Sequence, residues 1–208
     1  MNFQNKPAAL LAVLAMLGFG GFMVGAGADE VAEFAAPLNV EYEHPDADFS
    51  RFQRVLLGEL DVDHVTIVPP PWLADQAFKW EVSEVNVARL QSEYIAAMTE
   101  QIQGNGGYQI AREPGPGVME LSVRIVSFMP YAEQKDSVTT RGSGEMKIHA
   151  ELRDAQTGDL LAIYEGPQEV GKEYQPNTDF TKAENLKKLF NSWGRRVRIA
   201  MDADHGRS

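Results

Sequence analysis

No cysteine occurs anywhere in the chain, and that absence removes several chemistries at once. Disulfides, thiolate nucleophiles, cysteine-ligated zinc and lipid attachment through an N-terminal cysteine are all excluded. Histidine is nearly as scarce. His44, His64, His149 and His205 stand singly, without the HxH or HxxxH spacing that puts two ligands on one strand or helix face. A zinc or iron site is therefore not expected, and no motif calls for a cofactor. Positive charge is short as well, with 19 Lys and Arg against 30 Asp and Glu and a net charge of -11. Such a surface repels phosphate backbones, so nucleic acid is not expected as a partner.

No repeat of a period that would build a solenoid is visible. What is present is an ordinary globular composition, 44% hydrophobic and 24% charged, in 208 residues, which suits one folded domain with a sizeable core. The charge is unevenly placed. Residues 29–64 hold ten carboxylates against Arg51 and Arg54, whereas residues 182–198 hold six Lys or Arg against Glu184 alone. Two solvated faces explain this, and a basic C-terminal face that docks an acidic partner is the sharper alternative.

The N-terminus reads as an address. Lys6 is followed by an uncharged run from Pro7 to Ala28 that ends in Ala26-Gly27-Ala28, a small-x-small cleavage site, with Asp29 and Glu30 next. Residues 1–28 are thus expected to be a signal peptide, cleaved after Ala28 to release a soluble periplasmic protein. The same run has the length of a membrane span, so an uncleaved inner-membrane anchor is the competing reading. Glycines at 18, 20, 21, 25 and 27 weaken a helix there and favour cleavage.

In the mature chain, residues 29–48 are acidic, contain Pro37 and Pro45 and show no period, which predicts an extended lead-in. Arg51 to Gly58 and Val65 to Val68 are strand candidates, the second stopped by Pro69-Pro70-Pro71. Val87, Leu90, Tyr94, Met98 and Ile102 recur at steps of three and four and predict a helix, with Ser83 or Asn86 as its cap and Gly104-Asn105-Gly106-Gly107 as its stop. Tyr108 to Arg112 predicts a short strand. Met119, Leu121, Val123 and Ile125 alternate with polar residues, as do Met146, Ile148, Ala150 and Leu152, which predicts two half-buried strands. Pro130 to Arg141 between them reads as a loop. Asp154 to Asp159 is a turn in which Gly158 takes positive φ, returning the chain as a hairpin through Leu160 to Glu165. Thr181-Lys182-Ala183-Glu184 matches a capping box, and Leu186, Leu189, Phe190, Trp193, Val197 and Ala200 mark the buried stripe of a closing helix.

These elements predict an α+β two-layer domain over residues 49–204, with a mostly antiparallel sheet of about five strands, two main helices on one face, and a short tail at residues 205–208.

Four segments carry a resemblance: PDADFSRFQRVLL at 45–57, GPGVMELSVRIV at 115–126, ELRDAQTGDLLA at 151–162 and SWGRRVRIAMD at 192–202. In that order they resemble the domain-of-unknown-function family numbered 3313, small envelope proteins of proteobacteria, over roughly residues 38–204. The resemblance implies an envelope location and a compact α/β domain, and brings no activity, cofactor or catalytic residue with it. Many members look like lipoproteins with a cysteine at the cleavage site. Ala28-Asp29 stands there in this chain, which implies a soluble relative.

A search for chemistry finds little. Asp46-Ala47-Asp48 opens like a calcium loop, but Arg51 and Leu57 occupy the positions that need Gly and Glu. Asp61 and Asp63 lack the apolar surroundings that would shift a pKa for acid-base work and read as surface charge. Gly142-Ser143-Gly144 lacks the spacing of a nucleophile elbow. His149 reads as an ordinary exposed histidine. The unusual loop is Pro69-Pro70-Pro71-Trp72, with Phe78 and Trp80 behind it. Its rings either fold over the core edge or serve as anchors for a partner. Trp72, Phe78 and Trp80, with Arg195, Arg196 and Arg198 of the basic face, are the candidate partner contacts. The expected function is a non-catalytic accessory module that contacts another envelope protein, with membrane contact only through an uncleaved signal. A small-ligand carrier binding between sheet and helices is the first alternative, and an enzyme whose carboxylates converge only in three dimensions is the second.

Overall fold

The computed structural model describes residues 35–74, 79–80 and 83–207, so the signal, the start of the lead-in and Phe78 lie outside the described residues. Its elements, in chain order, are β1 (Asn39–Glu43), β2 (Arg54–Leu57), β3 (Thr66–Ile67), α1 (Glu84–Gln103), β4 (Gln109–Ile110), β5 (Val118–Pro130), β6 (Thr139–Arg141), β7 (Gly144–Asp154), β8 (Leu160–Val170), β9 (Tyr174–Pro176) and α2 (Asp179–Asp204).

The main sheet has seven strands in the order β1-β8-β7-β5-β2-β4, with β3 added alongside β5; β6 and β9 pair separately. This corrects the expected mostly antiparallel sheet of about five strands. β5, β7, β8 and β1 pair antiparallel, but β2 lies parallel to both β4 and β5, and β3 is parallel to β5. The reason is the crossover: parallel neighbours need a long connection, and α1 supplies it between β2 and β4. Two further expectations change. Residues 39–43 of the lead-in are an edge strand, paired to β8 with Val40 opposite Tyr164. The loop before β7 contains β6, which pairs with β9 through Thr140 and Gln175.

Both helices pack on one face of the sheet, where Leu121, Val123, Ile148 and Leu152 meet Tyr94, Met98, Leu189 and Phe190 in a single core. The opposite face carries Glu120, Arg124, Lys147, His149 and Arg153. Alternation along β5 and β7 produces this division, because successive side chains on a strand point to opposite sides. The hairpin turn closes as expected, with Gly158 at φ 78°.

Ser83 caps α1 by accepting from Asn86 N at 3.4 Å. The cap of α2 lies three residues before the expected one. Thr178 accepts from Thr181 N, and Thr181 Oγ1 in turn accepts from Thr178 N, so a threonine takes the part expected of Glu184. The two helices run parallel: the ring of Tyr94 meets Phe190 edge-on at 5.5 Å, and further along Arg198 donates to Gly104 O at 2.7 Å. Both helices therefore begin at the same end of the domain.

Candidate binding cleft

A break in the alternation of β5 shapes that end. The register against β7 shifts between Ile125 and Ser127, a bulge that leaves Val126 without a partner. Beyond a bulge the inward set changes parity, so Phe128 joins Ile125 and Met146 in facing the helices. β3 lies beside this stretch, with Ile67 opposite Phe128. The first turns of α1 and α2 stand over it and leave a half-open cleft of about 390 Å³.

The floor and walls of the cleft are apolar: Val65, Ile67, Val87, Leu90, Phe128, Met146 and Leu186. Its rim carries Trp80, Arg89, Glu93, Gln134, Lys135, Asp179 and Lys182. Trp80 stands edge-on to Phe128 with ring centroids 5.5 Å apart. The ammonium of Lys182 lies 5.5 Å from the centroid of Trp80, within cation–π range. Lys182 also donates to Gln134 O at 3.0 Å and sits 3.8 Å from Asp179 Oδ1. Its side chain is only 13% exposed, and burial pulls its pKa below the usual lysine range, against the opposing pull of Asp179. The volume and the lining, apolar with a few convergent polar groups, are those of a site for a small ligand or an apolar side group.

A second cavity, of about 60 Å³, lies between the sheet and both helices, where Trp193 and Met98 face Leu121 and Ile148. That is too small for a ligand.

The candidate contacts predicted from sequence are dispersed. Trp80 belongs to the cleft rim. Trp72 is 60% exposed and leans on Tyr131 with ring centroids 5.7 Å apart, outside the cleft lining. Phe78 lies outside the described residues. The basic face expected of Arg195, Arg196 and Arg198 is not an outer face as a set. Arg196 is buried and donates to the carbonyls of Ala35 and Ala36. Arg198 pairs with Asp202 at 2.6 Å and lies over the ring of Tyr108. Arg195 remains half-exposed. Helical spacing marked these arginines as flanking the apolar stripe, but the chain before β1 folds back over that flank and covers Arg196.

His149 is likewise not an ordinary exposed side chain. It is 19% exposed, with Nδ1 2.7 Å from Glu165 Oε1 and Nε2 3.0 Å from Glu151 Oε1. Both ring nitrogens are thereby engaged. Asp61 does behave as surface charge: the backbone N–H of Asp63 and the guanidinium of Arg124, at 2.8 Å, hold its carboxyl below the usual range. The cleft itself was missed in the sequence. Lys182 fits a cap pattern and Phe128 an unbroken strand, and no spacing in the sequence links Trp80, Phe128 and Leu186.

A family model described as "Protein of unknown function (DUF3313)" matches residues 35–197. The chain belongs to the DUF3313 family. That match spans every element from β1 to most of α2, and all the residues lining the cleft fall within it. No match to the chain was found among curated proteins. Among solved structures, a Xanthomonas campestris protein of the family described as DUF330 is similar at 11% identity, covering 81% of this chain and 94% of that one with a TM-score of 0.43. A PelC dodecamer from Paraburkholderia phytofirmans is similar at 10% identity, covering 77% and 97% with a TM-score of 0.38. A putative neuraminyllactose-binding hemagglutinin homolog from Helicobacter pylori is similar at 7% identity, covering 78% and 91% with a TM-score of 0.34. These are distant likenesses, and no functional reading of this chain rests on them. No helix among the described residues is long and apolar enough to cross a membrane.

Proposed function

We propose that this DUF3313 protein is a non-catalytic binding module of the periplasm, exported on residues 1–28, that takes an apolar group into the cleft between the helix starts and the β3–β5 edge. The observation that carries the reading is the cleft: about 390 Å³ and half-open, with an apolar floor, against about 60 Å³ for the cavity between the sheet and both helices. A group inserted there exchanges water for Val65, Ile67, Val87, Leu90 and Leu186 and gains roughly 25 cal/mol per Å² of apolar surface buried. The partner in this reading is another envelope component that presents such a group. The supporting features for export are the charge-free run before Ala28 and the small residues at the cleavage site.

The test is titration of the purified mature chain with the neutral probe N-phenyl-1-naphthylamine, whose fluorescence rises in an apolar site. Saturable binding is expected, and Val87→Trp, which fills the cleft from its wall, should weaken it by roughly tenfold or more, the loss of about 1.4 kcal/mol. Absence of binding, or equal binding by the filled variant, defeats the reading. Mass spectrometry of the mature chain should find Asp29 at its N-terminus; an intact Met1 in a membrane fraction defeats the exported, cleaved form.

A further inference from the structure

The charges around the cleft mouth run against the rest of the molecule. The chain carries a net charge of -11, yet the rim holds Arg89, Lys135 and Lys182 against Glu93 and Asp179. Two backbone features add to this local excess. Because α1 and α2 run parallel, both present their N-terminal ends to the cleft, and Ser83, Asn86 and Asp179 of those first turns line it. Each helix start carries roughly half a positive elementary charge. Glu84 and Asp179 in those first turns offset part of that charge, and an anion placed between the two starts offsets the rest.

Lys182 is the side chain set to meet such an anion. Its ammonium is mostly covered, has three donors, and gives one to Gln134 O at 3.0 Å. The carboxylate beside it, Asp179, stands 3.8 Å away with its side chain 83% exposed, a long pairing that water weakens. The ammonium lies over Trp80, which stands against Phe128, and the apolar floor of the same cleft includes Val65, Ile67 and Phe128. One charged point above a dry concave slot is the arrangement that fits a molecule with an anionic head and an apolar tail.

Resting on the binding reading above, we infer that the cleft takes a single-chain amphiphile with an anionic head, such as a fatty acid, its tail on the floor between β3 and the helices and its head against Lys182. A cationic head meets the helix starts and Lys182 unfavourably, and a neutral one leaves the ammonium with only the long, exposed pairing to Asp179.

The experiment is displacement of N-phenyl-1-naphthylamine from the unaltered mature chain, near neutral pH and below micellar concentrations, by dodecanoate, dodecanol and dodecyltrimethylammonium. Dodecanoate should displace the probe roughly tenfold more tightly than dodecanol, as one charge-assisted hydrogen bond provides, with the ammonium compound weakest. Shortening the tail to decanoate should cost roughly fourfold for each methylene removed. Lys182→Met should abolish the preference for dodecanoate over dodecanol, and Lys182→Arg should retain it. The comparison of heads on the unaltered chain needs no variant to fold. If dodecanol equals or exceeds dodecanoate while the probe still binds, the head-group inference is wrong and the apolar cleft stands; if the probe does not bind, the binding reading itself fails. A hydrophobic peptide ending in a free carboxylate that displaces the probe more tightly than dodecanoate overturns the amphiphile in favour of a peptide terminus.

Discussion

The indole Nε1 of Trp193 donates to Oε1 of Gln168 at 3.1 Å, and both side chains are buried. Gln168 uses its Nε2 to donate to Ala36 O at 2.9 Å. One buried amide thus ties α2, β8 and the chain leading into β1. Gln168→Met, close in shape but unable to accept from the indole, should lower the free energy of unfolding by about 1–3 kcal/mol, because the buried indole N–H loses its acceptor, while Ala36 O keeps Arg196. Urea denaturation with an unchanged slope checks it. A loss within the noise of the method would mean that water reaches these groups.

At Gly194, α2 passes directly against α1. A Cβ at that position would lie 2.9 Å from Gln101 Cβ and 3.2 Å from Met98 Cα. In an isolated helix Gly194→Ala would be favourable by about 1 kcal/mol. Here backbone stands in the way, so the same change should instead destabilise, by about 1–3 kcal/mol as overpacking does. A rise in melting temperature would show that the helices part without cost.

Arg196 holds the carbonyls of Ala35 and Ala36 from within the core edge. Arg196→Met removes both donors while keeping much of the apolar stem. Limited proteolysis should then cut the stretch before β1 faster than in the unaltered protein, with the α1–α2 body intact. Equal cutting rates would assign the docking of that stretch to β1–β8 pairing alone.

His149 joins Glu165 and Glu151 on the outer face, with Lys147 and Arg153 paired to the same glutamates and Arg124 opposite on β5. Burial disfavours the charged ring, but the bonds to the two glutamates outweigh it and raise the pKa above 6.5. The same bonds from His149 are the main cause that holds Glu151 and Glu165 below 4.5. A raised histidine pKa stabilises the fold fully below about 6.5 and loses that contribution as pH rises through the folded value. The glutamates contribute above about 4.5 and lose it as pH falls through their lowered values. Stability from this cluster is therefore complete between those two values, and His149→Gln should flatten the decline on the alkaline side. A melting-temperature series in pH on both proteins checks it, and parallel curves would sink the assignment.

Several elements were legible from residue spacing. The α1 stripe of Tyr94, Met98 and Ile102, the Ser83 cap, and the alternation of Leu121, Val123, Ile148 and Leu152 all lie as read. The pairing of Arg54 with Val118 across β2 and β5 was not, because alternation reports which face is dry and is silent about which strand lies beside it. The bulge at Val126 was hidden for a related reason: Ile125 and Phe128 are both apolar, so a change of parity leaves no mark in the pattern. The cleft depends on that bulge and on two parallel helix starts that stand far apart along the chain.

From its residues alone this protein was committed to a dry face on β5 and β7, to two amphipathic helices, and to a chemistry without thiols. Those properties are local, set by side-chain period and composition. Only the tertiary structure decided that α1 and α2 start side by side, that Arg196 turns inward, and that Lys182 stands above an apolar slot. Such placements follow from the crossover through α1 and the order of strands, and those depend on contacts between segments that no short stretch of sequence encodes.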